Sequence, residues 1–323
     1  MSSKKKNLSN PFSTGSGGPR FESQVQASFV ALMLVNGYCP CLPTWSINKI
    51  KLQGKYAGYN IDDLIIFVKS PSSEDEVKLL CQIKHTINIT KNNQAFSEVI
   101  QAAWSDFQNC DIFREGKDMI ALITGPLSAV TSNSVRPILE RARDSENSSD
   151  FLLQISESNF SSNAMRKKLD AFRYHLKKSN KGIDVTDDQL WLFLKSFHLL
   201  GYDLDIKSGV LLSFLHSLIG QFSTNQANQI WSQLVAEVQS KNQNAGTITK
   251  DALPEEILSA FERKKIEEIP EELTKSSHEN HKSKQERDFV QSTYPKELAL
   301  SCLLGSWSGE NTNDVGMCPN PST

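Results

Sequence analysis

Two short polar patterns in the sequence have the residue types that phosphodiester hydrolysis requires. The acidic pair Asp62-Asp63 begins one apolar segment, and Gln82-Ile83-Lys84 ends the next one. Hydrolysis needs a divalent cation on the phosphate, an activated water and positive charge against the developing negative charge. A carboxylate, an amide oxygen and an ammonium group can meet these needs. The pattern therefore predicts a metal-dependent nuclease site.

Strand geometry predicts which of these side chains lie together. Side chains two residues apart share a face, so Gln82 and Lys84 project to one side and Ile83 to the other. Only one of the adjacent aspartates can face the same site. Asp63 is the predicted one, because it directly adjoins the apolar strand whereas Asp62 lies nearer the turn.

Hard oxygen ligands of this kind suit Mg²⁺ or Mn²⁺, and Mg²⁺ keeps several of its waters. The predicted metal ligands are the Asp63 carboxylate, the Gln82 amide oxygen, the Ile83 carbonyl and Glu22. Glu22 is included because it lies at the margin of an apolar helical face, where a carboxylate without a cation is costly. Lys84 is predicted to orient the attacking water and to offset charge in the transition state.

Six elements in the first part of the chain must position these groups. Apolar spacing predicts helices, and short apolar segments between Gly-, Pro- and Ser-rich turns predict strands. The expected order is αβββαβ, in an α/β fold. The elements are a helix over residues 19–35, strands over 45–52, 61–69 and 77–84, a helix over 96–107 and a buried strand over 119–124.

The pattern changes after residue 130, where apolar residues recur every three or four positions. This spacing predicts an all-α region. Thr186 and Gln189 have the spacing of a capping box, and Gly201 lies where a helix would end. The predicted helices cover residues 133–144, 162–178, 187–200, 208–222 and 225–240.

Composition divides the chain into five predicted parts. The Glu-, Lys- and Ser-rich part near the end has too few apolar residues to form a core. We expect a flexible leader over 1–18, a nuclease domain over 19–130, a helical domain over 131–264, a polar linker over 265–294, and over 295–323 the incomplete start of a further domain or a disordered tail.

These residues in αβββαβ order resemble the restriction-endonuclease-like PD-(D/E)XK superfamily, in its QxK variant. Over about residues 10–125 the sequence also looks like the N-terminal nuclease module of bacterial antiphage STAND NTPases of the AVAST type, and it resembles the endonuclease effectors of CD-NTase defence systems. The matching strings are Asn10-Pro11-Phe12, Gly15-Ser16-Gly17-Gly18, Phe21-Glu22, Gly58-Tyr59-Asn60-Ile61-Asp62-Asp63-Leu64, Gln82-Ile83-Lys84 and Ala102-Ala103-Trp104.

The resemblance implies a restriction-endonuclease-like core and a role for each site residue. Asp63 corresponds to the metal-binding aspartate, Gln82 replaces its acidic partner, Lys84 is the catalytic lysine and Glu22 is the acid on the first helix. The implied activity is Mg²⁺-dependent hydrolysis of double-stranded DNA by an antiviral endonuclease. We expect low basal activity that rises on self-association or on binding an activating NTPase or sensor partner.

A second interpretation remains open at the sequence level. Because Gln82 cannot hold a metal as an anion, the same fold could be a non-catalytic module that binds nucleic acid or protein. Trp104 and Phe107 have the spacing of core residues, although aromatic side chains can also stack on bases. Two clusters of basic residues could contact phosphate or form solvated faces. They are Lys49, Lys51 and Lys55, and Arg166, Lys167, Lys168, Arg173, Lys177, Lys178 and Lys181.

Bulk properties limit the class of protein. The net charge is −2, so any DNA contact must come from a local basic patch. No apolar segment approaches the length of about 20 residues that spans a bilayer, and no signal peptide is evident, which predicts a cytoplasmic protein without membrane contact. Cys39-Pro40-Cys41 has no second Cys or His pair at zinc-ligand spacing, so we expect reduced, unligated cysteines.

Overall fold

A computed structural model describes residues 17–223 and 225–262. Within them, one mixed sheet of six strands has the order β5-β4-β3-β2-β1-β6. The first three strands form the predicted antiparallel meander, and β4 and β5 continue the sheet in parallel with β3. The strands are β1 (Ile47–Leu52), β2 (Leu64–Lys69), β3 (Glu76–Lys84), β4 (Met119–Thr124), β5 (Phe197–Gly201) and β6 (Thr247–Ile248).

Nine α-helices lie within the described ranges. The predicted αβββαβ order is present from α1 to β4, and the fold is mixed α/β. The helices are α1 (Gly17–Leu34), α2 (Gln94–Phe107), α3 (Ala129–Asp144), α4 (Ser148–Ser156), α5 (Asn163–Ser179), α6 (Asp187–Ser196), α7 (Val210–Gly220), α8 (Ala227–Gln243) and α9 (Glu255–Ala260). Short 3-10 turns occur at Gly54–Ala57 and Lys250–Ala252.

Helices cover both faces of the sheet. On one face, alternate strand residues such as Ile65 and Leu80 join a buried cluster with α2, α3, α5 and α6, in which Phe96 packs edge-on against Phe172. Their neighbours Leu64 and Cys81 are also buried but point to the opposite face, where α1 contacts β1, β3 and α8. Burial on both faces explains why these strands are nearly continuous in apolar residues.

The sheet corrects the prediction of an all-α second half. Residues 187–200 were expected to form one helix, but the helix ends at Ser196 and Phe197–Gly201 forms β5. A short apolar segment is compatible with either a helix or a buried strand. Here the segment pairs with β4 and forms a strand. β6 also joins the sheet, beside β1. Strands from both sides of the expected domain boundary at 130/131 therefore share one sheet, and that boundary stays a prediction.

Some local predictions are confirmed, and some predicted element boundaries differ from the structure by a few residues. Gln189 N–H donates to Thr186 Oγ1 at 3.1 Å and Thr186 N–H donates to Gln189 Oε1 at 2.9 Å, which is the predicted capping box. The second strand was expected to begin at Ile61 but begins at Leu64. Helix α4 was not predicted.

Three predicted parts lie largely or wholly outside the described residues: the leader over 1–18, apart from its last two residues, the linker over 265–294 and the final segment over 295–323. Among the residues that are described, no helix combines the length and the apolar character needed to cross a bilayer.

Candidate functional site

The candidate site begins where β2 starts and β3 ends. Pairing of Leu64 with Cys81 brings Asp63 level with Gln82. Asp63 Oδ2 accepts hydrogen bonds from the Ile83 backbone N–H, at 2.6 Å, and from the Gln82 side-chain amide. The two sequence patterns therefore meet at one carboxylate.

Asp63 lies in an environment that disfavours its charge. Burial raises its pKa from 3.8 to about 6, against the opposing effects of the Ile83 hydrogen bond and of the Lys84 charge. The nearby carboxylates of Glu22 and Asp62 raise it further. A cation beside Asp63 would stabilise the ionised form by direct attraction.

Lys84 is the last residue of β3, and its backbone pairs with Thr124 of β4. The side chain is half-buried, and its charge lowers the pKa of Asp63. Within residues 17–223 and 225–262, the Lys84 ammonium forms no hydrogen bond or ion pair with another side chain. Among these residues, the Lys84 charge therefore acts on Asp63 without a bonded partner of its own.

Glu22 reaches the site through a glutamine that the sequence analysis missed. Gln26, one turn further along α1, donates from its Nε2 to Glu22 Oε1 at 3.0 Å and to the Asp63 backbone carbonyl at 2.9 Å. One amide nitrogen thus joins the first helix to the start of β2. The sequence feature that could have identified Gln26 is its position one helical turn after Glu22, within the apolar stripe that includes Val25 and Phe29.

A second amide supports Glu22 from a distant part of the chain. Asn242, near the end of α8, donates to Glu22 Oε1 at 3.1 Å and accepts from Gln53 Nε2 at 3.0 Å. Nothing in the local sequence around Asn242 points to this contact. Two carboxamides therefore hold the Glu22 carboxylate.

Asp62 binds the turn after β1. Its carboxylate accepts from the Lys55 backbone N–H at 3.0 Å and pairs with the Lys55 ammonium at 3.2 Å. Its backbone carbonyl accepts from Gly54 N–H at 2.5 Å. Asp62 therefore holds the 3-10 turn at Gly54–Ala57, as its position nearer the turn suggested, and Asp63 faces Gln82.

The donor types near Asp63 are those that a hard, largely hydrated dication accepts. Asp63 and Glu22 are anionic oxygen donors, and the side-chain oxygen of the fully buried Gln26 has no partner among the described residues. Gln82 directs its amide nitrogen, not the predicted oxygen, towards Asp63, so it becomes a ligand only if the amide turns over. The described ranges contain no group of three or more His, Cys, Asp or Glu residues suited to a metal. Waters would have to complete the coordination shell.

His85 lies on the face opposite Lys84, as strand alternation predicts. Its Nε2 is 2.7 Å from Asp205 Oδ2, its Nδ1 is 3.1 Å from Thr86 Oγ1, and its ring packs edge-on against Phe21. The histidine is thus packed against α1 and paired with Asp205.

The aromatic residues considered for base stacking belong to the core. Trp104 is 3% exposed and packs against Phe107 and Phe193.

Many of the basic residues considered for phosphate binding have partners within the chain. Lys49 lies over the Phe67 ring, Lys51 donates to the Ala245 carbonyl and Lys55 pairs with Asp62. On α5, Lys168 donates to the Ile89 carbonyl and Lys178 donates to Ser97 Oγ. Arg173 pairs with Asp187, and Lys177 pairs with Asp184.

Comparison with solved structures finds weak similarity to bacterial receptors. The Acinetobacter baumannii Cap4 SAVED/CARF-domain containing receptor with the cyclic trinucleotide 3'3'3'-cAAA matches with a TM-score of 0.40 and 14% identity, over 72% of this chain and 45% of that chain. The Moraxella osloensis Cap4 SAVED/CARF-domain containing receptor matches with a TM-score of 0.37 and 13% identity, over 73% and 45%. This chain thus spans less than half the length of these structures.

No protein-family model matches the sequence, and no curated protein matches it. The structural similarity is too low to carry a residue role or an activity over to this chain.

Proposed function

We propose that this chain is a metal-dependent endonuclease with a restriction-endonuclease-like core, which hydrolyses DNA phosphodiester bonds in bacterial antiviral defence. The observation that carries the proposal is the junction of β2 and β3, where Asp63 bonds to Gln82 and Ile83 beside the Lys84 charge. The defence context rests on the sequence resemblance described above.

Each residue has a distinct task in the proposed reaction. Asp63 and Glu22 would hold the metal, and the Ile83 carbonyl, the Gln82 oxygen once its amide turns over, and waters would complete the shell. When bound, Mg²⁺ would polarise the scissile phosphate and lower the pKa of a coordinated water. Lys84 orients the attacking water and offsets the negative charge that builds on the phosphate. Gln26 and Asn242 keep Glu22 in place through their amide hydrogen bonds.

Plasmid cleavage tests the proposal. With Mg²⁺ or Mn²⁺ present, we expect the purified protein to nick or linearise supercoiled DNA, and EDTA to abolish cutting. Lys84→Ala should lower the cleavage rate by about 100- to 1,000-fold, the usual effect of removing one group that stabilises the transition state. Because basal activity is expected to be low, the assay should cover a range of protein concentrations that allows self-association.

Lys69→Ala is the matched control. Lys69 is also the last residue of its strand, but it lies at the far end of β2 from Asp63 and its ammonium pairs with Glu74. This variant should cut like the wild type. Equal cutting by Lys84→Ala and the wild type would refute the role of Lys84 and the proposal with it.

One observation favours the alternative of a non-catalytic binding module. The Gln82 amide nitrogen donates to Asp63 and so satisfies one carboxylate oxygen without a cation. A degenerate site would then retain DNA or a protein partner but never cleave DNA. Binding in a gel-shift assay without strand scission, under each metal and at each concentration, would support this alternative.

A further inference from the structure

A polar cleft lies next to Glu22, between the turn after β1 and the end of α8. Its volume is about 400 Å³, within the range of sites that bind small ligands. Asn242 connects it to the candidate site, because this residue lines the cleft and donates to Glu22. The lining residues are Gln53, Tyr56, Asn242, Gln243, Asn244 and Ala245.

The lining is neutral, and two nearby lysines are directed elsewhere. Lys51 donates to the Ala245 carbonyl at 2.6 Å, and Lys55 pairs with Asp62 at 3.2 Å. A phosphate would therefore find no cation among the lining side chains. Carboxamides instead offer both donors and acceptors, which is the chemistry that recognises the edge of a nucleobase.

Tyr56 supplies an aromatic surface in the same cleft. Its side chain is 84% exposed, the highest exposure among the large hydrophobic residues that the structure describes. An aromatic ring presented to solvent by a rigid turn is suited to stacking on a base. The turn is rigid because Asp62 binds Lys55 and Gly54, and because Gly58 closes it in a left-handed conformation, with φ of 88°.

Each of the two segments that line the cleft contains a residue with a strained backbone conformation. Gln53 and Ala245 have φ of 52° and 48°, in the left-handed region that residues other than glycine seldom adopt. Both line the cleft, and Leu52 N–H donates to the Gly246 carbonyl at 3.0 Å to join the two segments. Strained residues persist where the surrounding structure holds them, often at ligand sites. The hydrogen bond between the two segments thus joins the two strained positions across the cleft.

We propose that this cleft is a subsite for one nucleobase of the DNA strand held at the candidate site. The base, turned out of the duplex stack, stacks on Tyr56, and the amides of Gln53, Gln243 and Asn244 contact its edge. The proposal rests on the proposed function, because Glu22 connects the cleft to that site. It goes further by assigning the contact to a base beside the scissile phosphate, so that the cleft influences which sequences are cut.

Fluorescence anisotropy with a fluorescein-labelled DNA duplex tests the subsite without requiring cleavage. In Ca²⁺ or EDTA, Tyr56→Ala should weaken DNA binding by about 5- to 150-fold, as loss of one base–aromatic stack does. Tyr56→Phe keeps the ring and should bind like the wild type. Tyr174→Ala, which removes a tyrosine that is 48% exposed on α5, controls for loss of a surface aromatic residue.

The results separate this inference from the proposed function. Weaker binding by Tyr56→Ala in a protein that never cuts DNA would support the subsite and refute the nuclease. Cleavage and binding by Tyr56→Ala at wild-type levels would refute the subsite and leave the nuclease standing. Tyr56-dependent binding of a free deoxynucleoside monophosphate that duplex DNA does not displace would overturn the assignment to the substrate strand.

Discussion

Asp63 shows the main electrostatic conflict of the candidate site. Its Oδ2 accepts two hydrogen bonds, yet burial raises its pKa to about 6. An asparagine could accept the Ile83 N–H bond without the cost of burying a charge. A buried carboxylate with a raised pKa is typical of functional sites.

The raised pKa predicts a pH-dependent loss of stability. The protonated form is favoured in the folded state, so its stabilising contribution is complete below pH 4 and is lost as pH rises through about 6. Wild type should therefore lose up to about 3 kcal/mol of unfolding free energy relative to Asp63→Asn between pH 4 and pH 7. Urea denaturation at several pH values measures this difference. Asp111→Asn, at an exposed position, is the control.

Mg²⁺ binding should offset the loss of stability that is predicted as the pH rises. If ionised Asp63 is the ligand, as proposed, Mg²⁺ should stabilise the wild type at pH 8, do so less as the pH falls through 6, and have little effect on Asp63→Asn. Parallel pH curves for the wild type and Asp63→Asn would contradict the assigned pKa.

At the scale of elements, a buried carboxylate of α2 determines where β2 begins. Asp106 is fully buried and accepts from the backbone N–H groups of Asn60 and Ile61, each at 2.8 Å. It also accepts from the Asn60 side chain at 2.8 Å. The Ile61 N–H belongs to the predicted strand over 61–69, and its bond to Asp106 keeps it out of the sheet. With the Asp62 and Asp63 carbonyls bound to Gly54 and Gln26, strand pairing begins at Leu64.

Replacing Asp106 should disturb both stability and the site. Asp106→Ala leaves the buried Ile61 N–H and the partly buried Asn60 N–H without an acceptor, and we expect a loss of about 3 kcal/mol of unfolding free energy. Asp106→Asn keeps one acceptor oxygen and should lose less. Chemical denaturation measures both, and DNA cleavage should fall with Asp106→Ala even at temperatures where the protein remains folded. A variant as stable as the wild type would show that other contacts hold this segment.

At the scale of the molecule, the sheet and its core depend on residues far along the chain. β5 gives β4 its second neighbour, and Phe172 and Phe193 of α5 and α6 belong to the same buried cluster as Ile65 and Leu80. A fragment that ends near residue 130 would expose β4 as an edge and lose one side of that cluster.

We therefore predict that residues 1–130 alone do not fold stably. The fragment should give poorly dispersed NMR spectra and no cooperative unfolding, whereas residues 1–262 should give both dispersion and a cooperative transition. A well-dispersed, cooperatively unfolding fragment would instead support an independent nuclease domain over 19–130.

The sequence alone determined the local part of this architecture. Apolar spacing identified α1 and α2, and strand alternation together with the position of Asp63 beside the apolar strand indicated that Asp63, not Asp62, faces the site. These features depend on neighbours within a few residues or on one hairpin, so periodicity carries them. The same alternation places Lys84 on the face of Gln82, and the position of Asp62 nearer the turn agrees with its bonds to Lys55.

Only the tertiary structure decided the rest, because the contacts join residues that local patterns cannot relate. The Asn242 contact with Glu22 spans 220 residues, and the role of Gln26 depends on where α1 crosses the start of β2. The apolar run Phe197–Gly201 satisfies a helix as well as a strand until pairing with β4 settles it. The cleft beside Tyr56 likewise exists only because the turn after β1 meets the end of α8.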